Sequence, residues 1–121
     1  MLSQQLRLKK KKDFDRNFKI GKSVSSPLFY IKFSRNNLTV NRFGFVVSKS
    51  VSKKAVVRNK LKRRLREAVK IYILKGGSQN GSSQKNVDII IVARPGAEKS
   101  SFQDVKTTLA RLLEKAAISR Q

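Results

Sequence analysis

Apolar residues along this 121-residue chain recur at two spacings, one of about four residues and one of two. Phe14 and Phe18 stand four apart in "KDFDRNFKIGKS" and predict a short helix with both rings on one face, stopped at Gly21. After Pro27, "LFYIKFS" alternates as a strand does. Phe29, Ile31 and Phe33 share one side; Leu28, Tyr30, Lys32 and Ser34 share the other. Turn residues Asn36 and Asn37 then predict a hairpin into "RFGFVVSKS", with Phe43, Phe45 and Val47 facing inward.

The longest periodic segment is 55–75, "AVVRNKLKRRLREAVKIYILK". At helical spacing Val57, Leu61, Leu65, Ala68 and Tyr72 fall within an arc of about 80°, and Val69 extends its edge. Asn59, Lys62, Arg63, Arg66 and Lys70 gather on an adjoining arc. Arg58 lies where the two arcs meet, and Lys60 and Arg64 flank the apolar stripe on its other side. A polar, Gly/Ser-rich stretch at 76–84 predicts a mobile loop. "NVDIIIVARP" carries a continuous apolar run, the mark of a central strand covered on both faces, and Pro95-Gly96 ends it. A final helix buries Phe102, Val105, Leu109, Leu112, Leu113 and Ala116, with Ser100 or Ser101 at its cap.

These elements predict an α+β fold in the order α-β-β-(β)-α-β-α, the bracketed strand being optional, with a mixed sheet packed by helices. The organisation is a flexible basic arm at 1–12 followed by one domain at 13–121. The passage from 43–48 through 55–75 to 87–93 has the form of a crossover between parallel strands, right-handed by the general rule.

Charge narrows what such a domain can do. The chain holds 29 Lys+Arg against 7 Asp+Glu, a formal net charge of +22, which attracts a dense polyanion. Nucleic acid is favoured over membrane, because no apolar run approaches the length of a spanning helix. There is no His and no Cys, which excludes imidazole acid–base chemistry, His metal sites, thiolate sites and disulfides. The acids Asp13, Asp15, Glu67, Asp88, Glu98, Asp104 and Glu114 are scattered, unlike the carboxylate cluster of a two-metal nuclease. A reactive centre, if the chain serves one, is expected in a partner.

The stretch "RNKLKRRLRE" at 58–67 joins both themes. Its leucines dock it as a helix, and docking pre-orders arginine forks suited to phosphate. A solvated charged face is the alternative for any such helix. With "FGFVVSKSVSKKAVV" before it, "RLKKKKDFDRNFKIGKSV" near the start and "DIIIVARP" later, the stretch resembles the bacterial ribonuclease P protein family. The resemblance runs over nearly the whole chain apart from 76–84.

That resemblance implies the accessory subunit of a ribonucleoprotein endoribonuclease, a hydrolase whose active site is in its RNA. Such an enzyme removes the 5′ leader of precursor tRNA to form the mature tRNA 5′ end. It implies two partners, the catalytic RNA subunit and precursor tRNA, with Mg2+ required by the RNA-catalysed reaction. No DNA or membrane partner and a cytoplasmic location are expected. A left-handed crossover is implied in place of the general right-handed one. Arg58, Asn59, Lys60, Lys62, Arg63 and Arg66 match the RNA-binding helix, with no catalytic residues expected in the chain. Lys60 stands where the motif has Arg, keeping the charge without the fork. Phe14 and Phe18 match an aromatic pair lining a leader cleft, which Tyr30 and Lys32 would extend. Core packing suits the two Phe equally, and a solvated sheet face suits Tyr30 and Lys32. The other function classes are a basic structural ribosomal or other RNA-binding protein, and a DNA-binding module. The second is disfavoured by strands on both sides of the basic helix.

Overall fold

The structure, a computed structural model, describes residues 8, 11–20, 22–35, 41–74 and 87–119. Its elements run α1 (Lys11–Ile20), β1 (Lys22–Ser25), β2 (Phe29–Arg35), β3 (Arg42–Val46), α2 (Ala55–Leu74), β4 (Val87–Ala93), a 3-10 turn (Ala97–Lys99) and α3 (Phe102–Ser119). This is the α+β class with the optional third strand present as β1. The expected loop at 76–84 and the turn at Asn36 and Asn37 lie outside the described residues. Of the expected arm at 1–12, Leu8 is buried and Lys11 opens α1; its other residues up to position 10 lie outside the described residues.

The sheet has the order β1-β2-β4-β3. Here the expected hairpin is corrected: β2 and β3 are not paired with each other. β4 lies between them, antiparallel to β2 with Ile31 opposite Ile91, and parallel to β3 with Phe45 opposite Ile91. The reason lies in the sequence of β4 itself. A strand apolar on both sides is most stable in the middle of a sheet, with neighbours on both edges and cover on both faces. β1 offers only Val24 as an apolar residue and pairs at the outer edge with β2, which is why the alternation did not mark it.

One face of the sheet carries Phe29, Ile31, Phe33, Phe43, Ile89, Ile91 and Ala93, all buried. It packs against Leu61, Leu65, Ala68, Val69 and Tyr72 of α2 and Val105, Leu109, Leu112 and Leu113 of α3. The predicted stripes of both helices are thus the buried ones as far as they are described, with Val57 and Phe102 half-buried at the margins and the side chain of Ala116 outside the described residues. Phe45 is half-buried too, at the edge of the sheet beside α2. Pro95 and Gly96 do end β4, Gly96 adopting a φ of 101° that suits a residue without a β-carbon. Ser101 caps α3, its hydroxyl accepting the Asp104 amide at 3.1 Å, while the Ser100 hydroxyl donates to the Ala97 carbonyl at 2.6 Å. The opposite face of the sheet is covered by α1, and that arrangement sets up the candidate site.

Candidate nucleic-acid interface

On the α1 side, alternation along the strands brings Tyr30, Lys32 and Ser34 of β2 together with Ile90 and Val92 of β4 and Arg42 and Gly44 of β3. α1 lies against this face by close packing. A β-carbon at Gly44 would stand 2.5 Å from Cζ and 2.6 Å from Cε1 of Phe14, and 3.3 Å from Cβ of Leu8. Only glycine leaves room for that ring. Leu8 is held there by its amide, which donates to the Phe43 carbonyl at 2.7 Å.

An ion-pair system ties the same two elements. Arg42 donates from Nε and Nη2 to both carboxylate oxygens of Asp88, at 2.8 and 2.7 Å. Its Nη1 lies 3.5 Å from Oδ2 of Asp13 in the first turn of α1. Asp88 is fully buried, and this bidentate pair gives its charge a partner. The hydrogen bond to Asp88 chiefly holds the Arg42 guanidinium above its ordinary range; burial opposes that, and the charges of Asp88 and Asp13 add to it.

The aromatic pair divides between the two roles open to it. Phe14 is half-buried over Gly44 and so serves packing in part. Phe18 is 38 % exposed, which is not core packing. Tyr30 and Lys32 are half-buried on β2. Arg94, just past the end of β4, places its guanidinium carbon 5.4 Å from the centre of the Tyr30 ring. Nothing in the one-dimensional pattern marked Arg94, because a contact between a strand end and a neighbouring strand leaves no periodic trace.

α2 supplies the second surface. Asn59, Lys60 and Arg63 are exposed, and Arg58, Lys62 and Arg66 are half-buried. Arg58 turns back on the preceding loop, its Nη1 donating to the carbonyls of Ser52 at 2.9 Å and Lys53 at 3.0 Å. That bond fixes the start of the helix while leaving other donors of the fork. Arg66 lies over the Phe45 ring at 5.9 Å, so the arc through Arg58, Lys62 and Arg66 borders β3. Lys60 does not join that arc. It shares the opposite flank with Arg64, whose Nη1 donates to the Ser100 carbonyl beside α3 at 3.3 Å.

A basic helix beside a sheet face with aromatic side chains at its surface is a nucleic-acid-binding arrangement, and comparison with known proteins gives it a family. The family model described as Ribonuclease P matches residues 2–117. The chain belongs to the ribonuclease P protein family. It is 33% identical to the ribonuclease P protein component of Syntrophomonas wolfei, with 98% of this chain and 92% of the relative covered. It is 35% identical to that of Streptococcus thermophilus, with 97% of each covered. Among solved structures, the ribonuclease P protein of Staphylococcus aureus superposes with a TM-score of 0.76 at 33% identity, over 92% of this chain and 94% of that one. The protein from Thermotoga maritima does so with a TM-score of 0.76 at 33% identity, over 90% and 96%.

As a ribonuclease P protein component, the chain is a subunit of the ribonucleoprotein that processes tRNA 5′ ends. Asp88 and Asp13 are committed to Arg42, and among the described residues no group of three or more acidic side chains stands close enough to hold a metal ion. These residues do not fit a protein-built Mg2+ site. Among the described residues no helix is long and apolar enough to cross a membrane.

Proposed function

We propose that this ribonuclease P protein binds the catalytic RNA through α2 and holds the 5′ leader of precursor tRNA against α1 and the sheet. The cleavage is carried out by the RNA, which also holds the Mg2+ it needs. Exposed Phe18 one turn from half-buried Phe14 is the observation that carries the leader reading, since both rings stand on one face of α1 with Phe18 open to a base. Stacking suits a leader of varied sequence, because every base has a π-face, and each stacked base contributes about 1–3 kcal/mol. Tyr30, with Arg94 over its ring, and Lys32 extend that surface. On α2, Arg58, Asn59, Lys62, Arg63 and Arg66 form the RNA-facing arc, and Lys60 contributes charge from the other flank. The site of action is the cytoplasm, where precursor tRNA is made in bacteria.

The test is precursor-tRNA cleavage at low Mg2+, first with the cognate catalytic RNA alone and then with this protein added. Faster cleavage and tighter binding of leader-bearing substrate on addition are expected. No change on addition would overturn the reading. Replacing Phe14 and Phe18 by Ala tests the cleft itself, with affinity for leader-bearing substrate as the readout.

A further inference from the structure

We propose that Arg42 is a positioning residue for the leader cleft: locked by Asp88 and paired with Asp13, it sets where α1 presents Phe14 and Phe18. The proposal rests on the leader-cleft reading above.

α1 has 10 residues. A helix of that length is marginal on its own, below the roughly 12–15 residues an isolated helix needs. Its placement therefore comes from what it touches. Two consecutive α1 residues meet two alternate β3 residues on one sheet face: Asp13 meets Arg42, and Phe14 meets Gly44. Two adjacent attachments fix both the position of the helix and its rotation about its axis. Phe18, one turn beyond Phe14, inherits that rotation.

Arg42 suits this task through geometry. β3 and β4 run in parallel register with Arg42 opposite Asp88. Two of the guanidinium donors are spent on Asp88, and the planar fork then aims Nη1 at α1. Asp88 is buried, so swinging Arg42 away would strip an interior carboxylate of its bidentate cation. The arginine is thus held still from below while it holds Asp13 from above. A lysine would keep a charge on Asp88, but its single ammonium does not reproduce the fork that faces two carboxylates.

The experiment uses protein reconstituted with the cognate catalytic RNA and measures affinity for leader-bearing and leaderless tRNA. Electrostatics alone predicts that Asp13→Asn, which removes a negative charge near RNA, tightens binding. Positioning predicts the reverse. Leader-bearing substrate should bind about three- to fivefold more weakly, the scale of a partly exposed ion pair, with leaderless tRNA unchanged. Asp13→Asn combined with Phe14→Ala and Phe18→Ala should lose no more than the two Phe→Ala changes together. Arg42→Lys, which keeps the first-turn carboxylate of α1, should show the same leader-selective loss in protein that still melts cooperatively. Unchanged or tighter leader binding in Asp13→Asn, or equal weakening of both substrates, overturns the proposal. A neutral Phe14→Ala and Phe18→Ala pair would instead overturn the cleft reading beneath it.

Discussion

The ring of Phe14 occupies the space that a side chain at position 44 would need, with its Cζ 2.5 Å from where a β-carbon would be built. A packing contact and a candidate RNA surface therefore meet at one glycine. Gly44→Ala cannot be absorbed by a small adjustment, because the nearest atoms are the rigid end of an aromatic ring. The ring and α1 must shift. We expect a stability loss of about 1–3 kcal/mol by chemical denaturation, the scale of overpacking. A loss of leader affinity should accompany it. Unaltered stability would show that the ring is not seated as described.

The Arg42–Asp88 pair gives a second outcome. Asp88→Ala takes away two charge-assisted hydrogen bonds of a partly exposed arginine that keeps Asp13, and about 1–3 kcal/mol of stability should go with it. For Arg42 the sign with pH is definite. Its pKa is raised by folding, so its contribution is complete below the ordinary arginine value and is lost only as pH rises through the raised one. Between about pH 6 and 9, urea midpoints should show no change on Arg42's account. A decline there that Arg42→Lys abolishes would contradict this assignment.

On α2, position around the helix separates charges that look alike in sequence. Arg63 stands exposed on the same arc as Lys62 and Arg66, and Lys60 lies with Arg64 on the α3 flank. Affinity for the catalytic RNA should fall steeply with salt as counterions are released. Arg63→Ala should reduce the magnitude of the log–log salt slope by about 1, the mark of one lost phosphate contact. Lys60→Ala should change it less. Equal effects would mean that the RNA wraps both flanks.

Ser101 offers a test of local structure. Its hydroxyl satisfies the Asp104 amide in the first turn of α3. Ser101→Ala should cost about 1 kcal/mol in thermal or urea unfolding, with RNA affinity unchanged. A neutral result would place the start of α3 elsewhere.

Much of this arrangement is legible along the chain. The stripe through Leu61, Leu65, Ala68 and Tyr72 names both the helix and its buried side, and the apolar run of β4 marks it as central. The hairpin expectation failed at that same run. Neighbouring strands with a turn between them pair by default, yet β4, arriving some 40 residues later, took the place between them. The site was legible in proportion to its regularity. Phe14, Phe18 and the α2 cations sit on helical spacing, whereas Arg42, Gly44 and Arg94 act through contacts with other elements.

By itself the sequence determined the α+β class, the basic character, the want of imidazole or thiol chemistry and the faces of the long helices. Each of these depends on residue type or on spacing within one element, so each is a local property. Tertiary structure alone decided that β4 divides β2 from β3, that Arg42 joins Asp88 to Asp13, and that the Phe14 ring sits over Gly44. Those outcomes depend on which surfaces meet once the core is buried. Packing and the pairing of buried charge settle that between residues far apart in the chain.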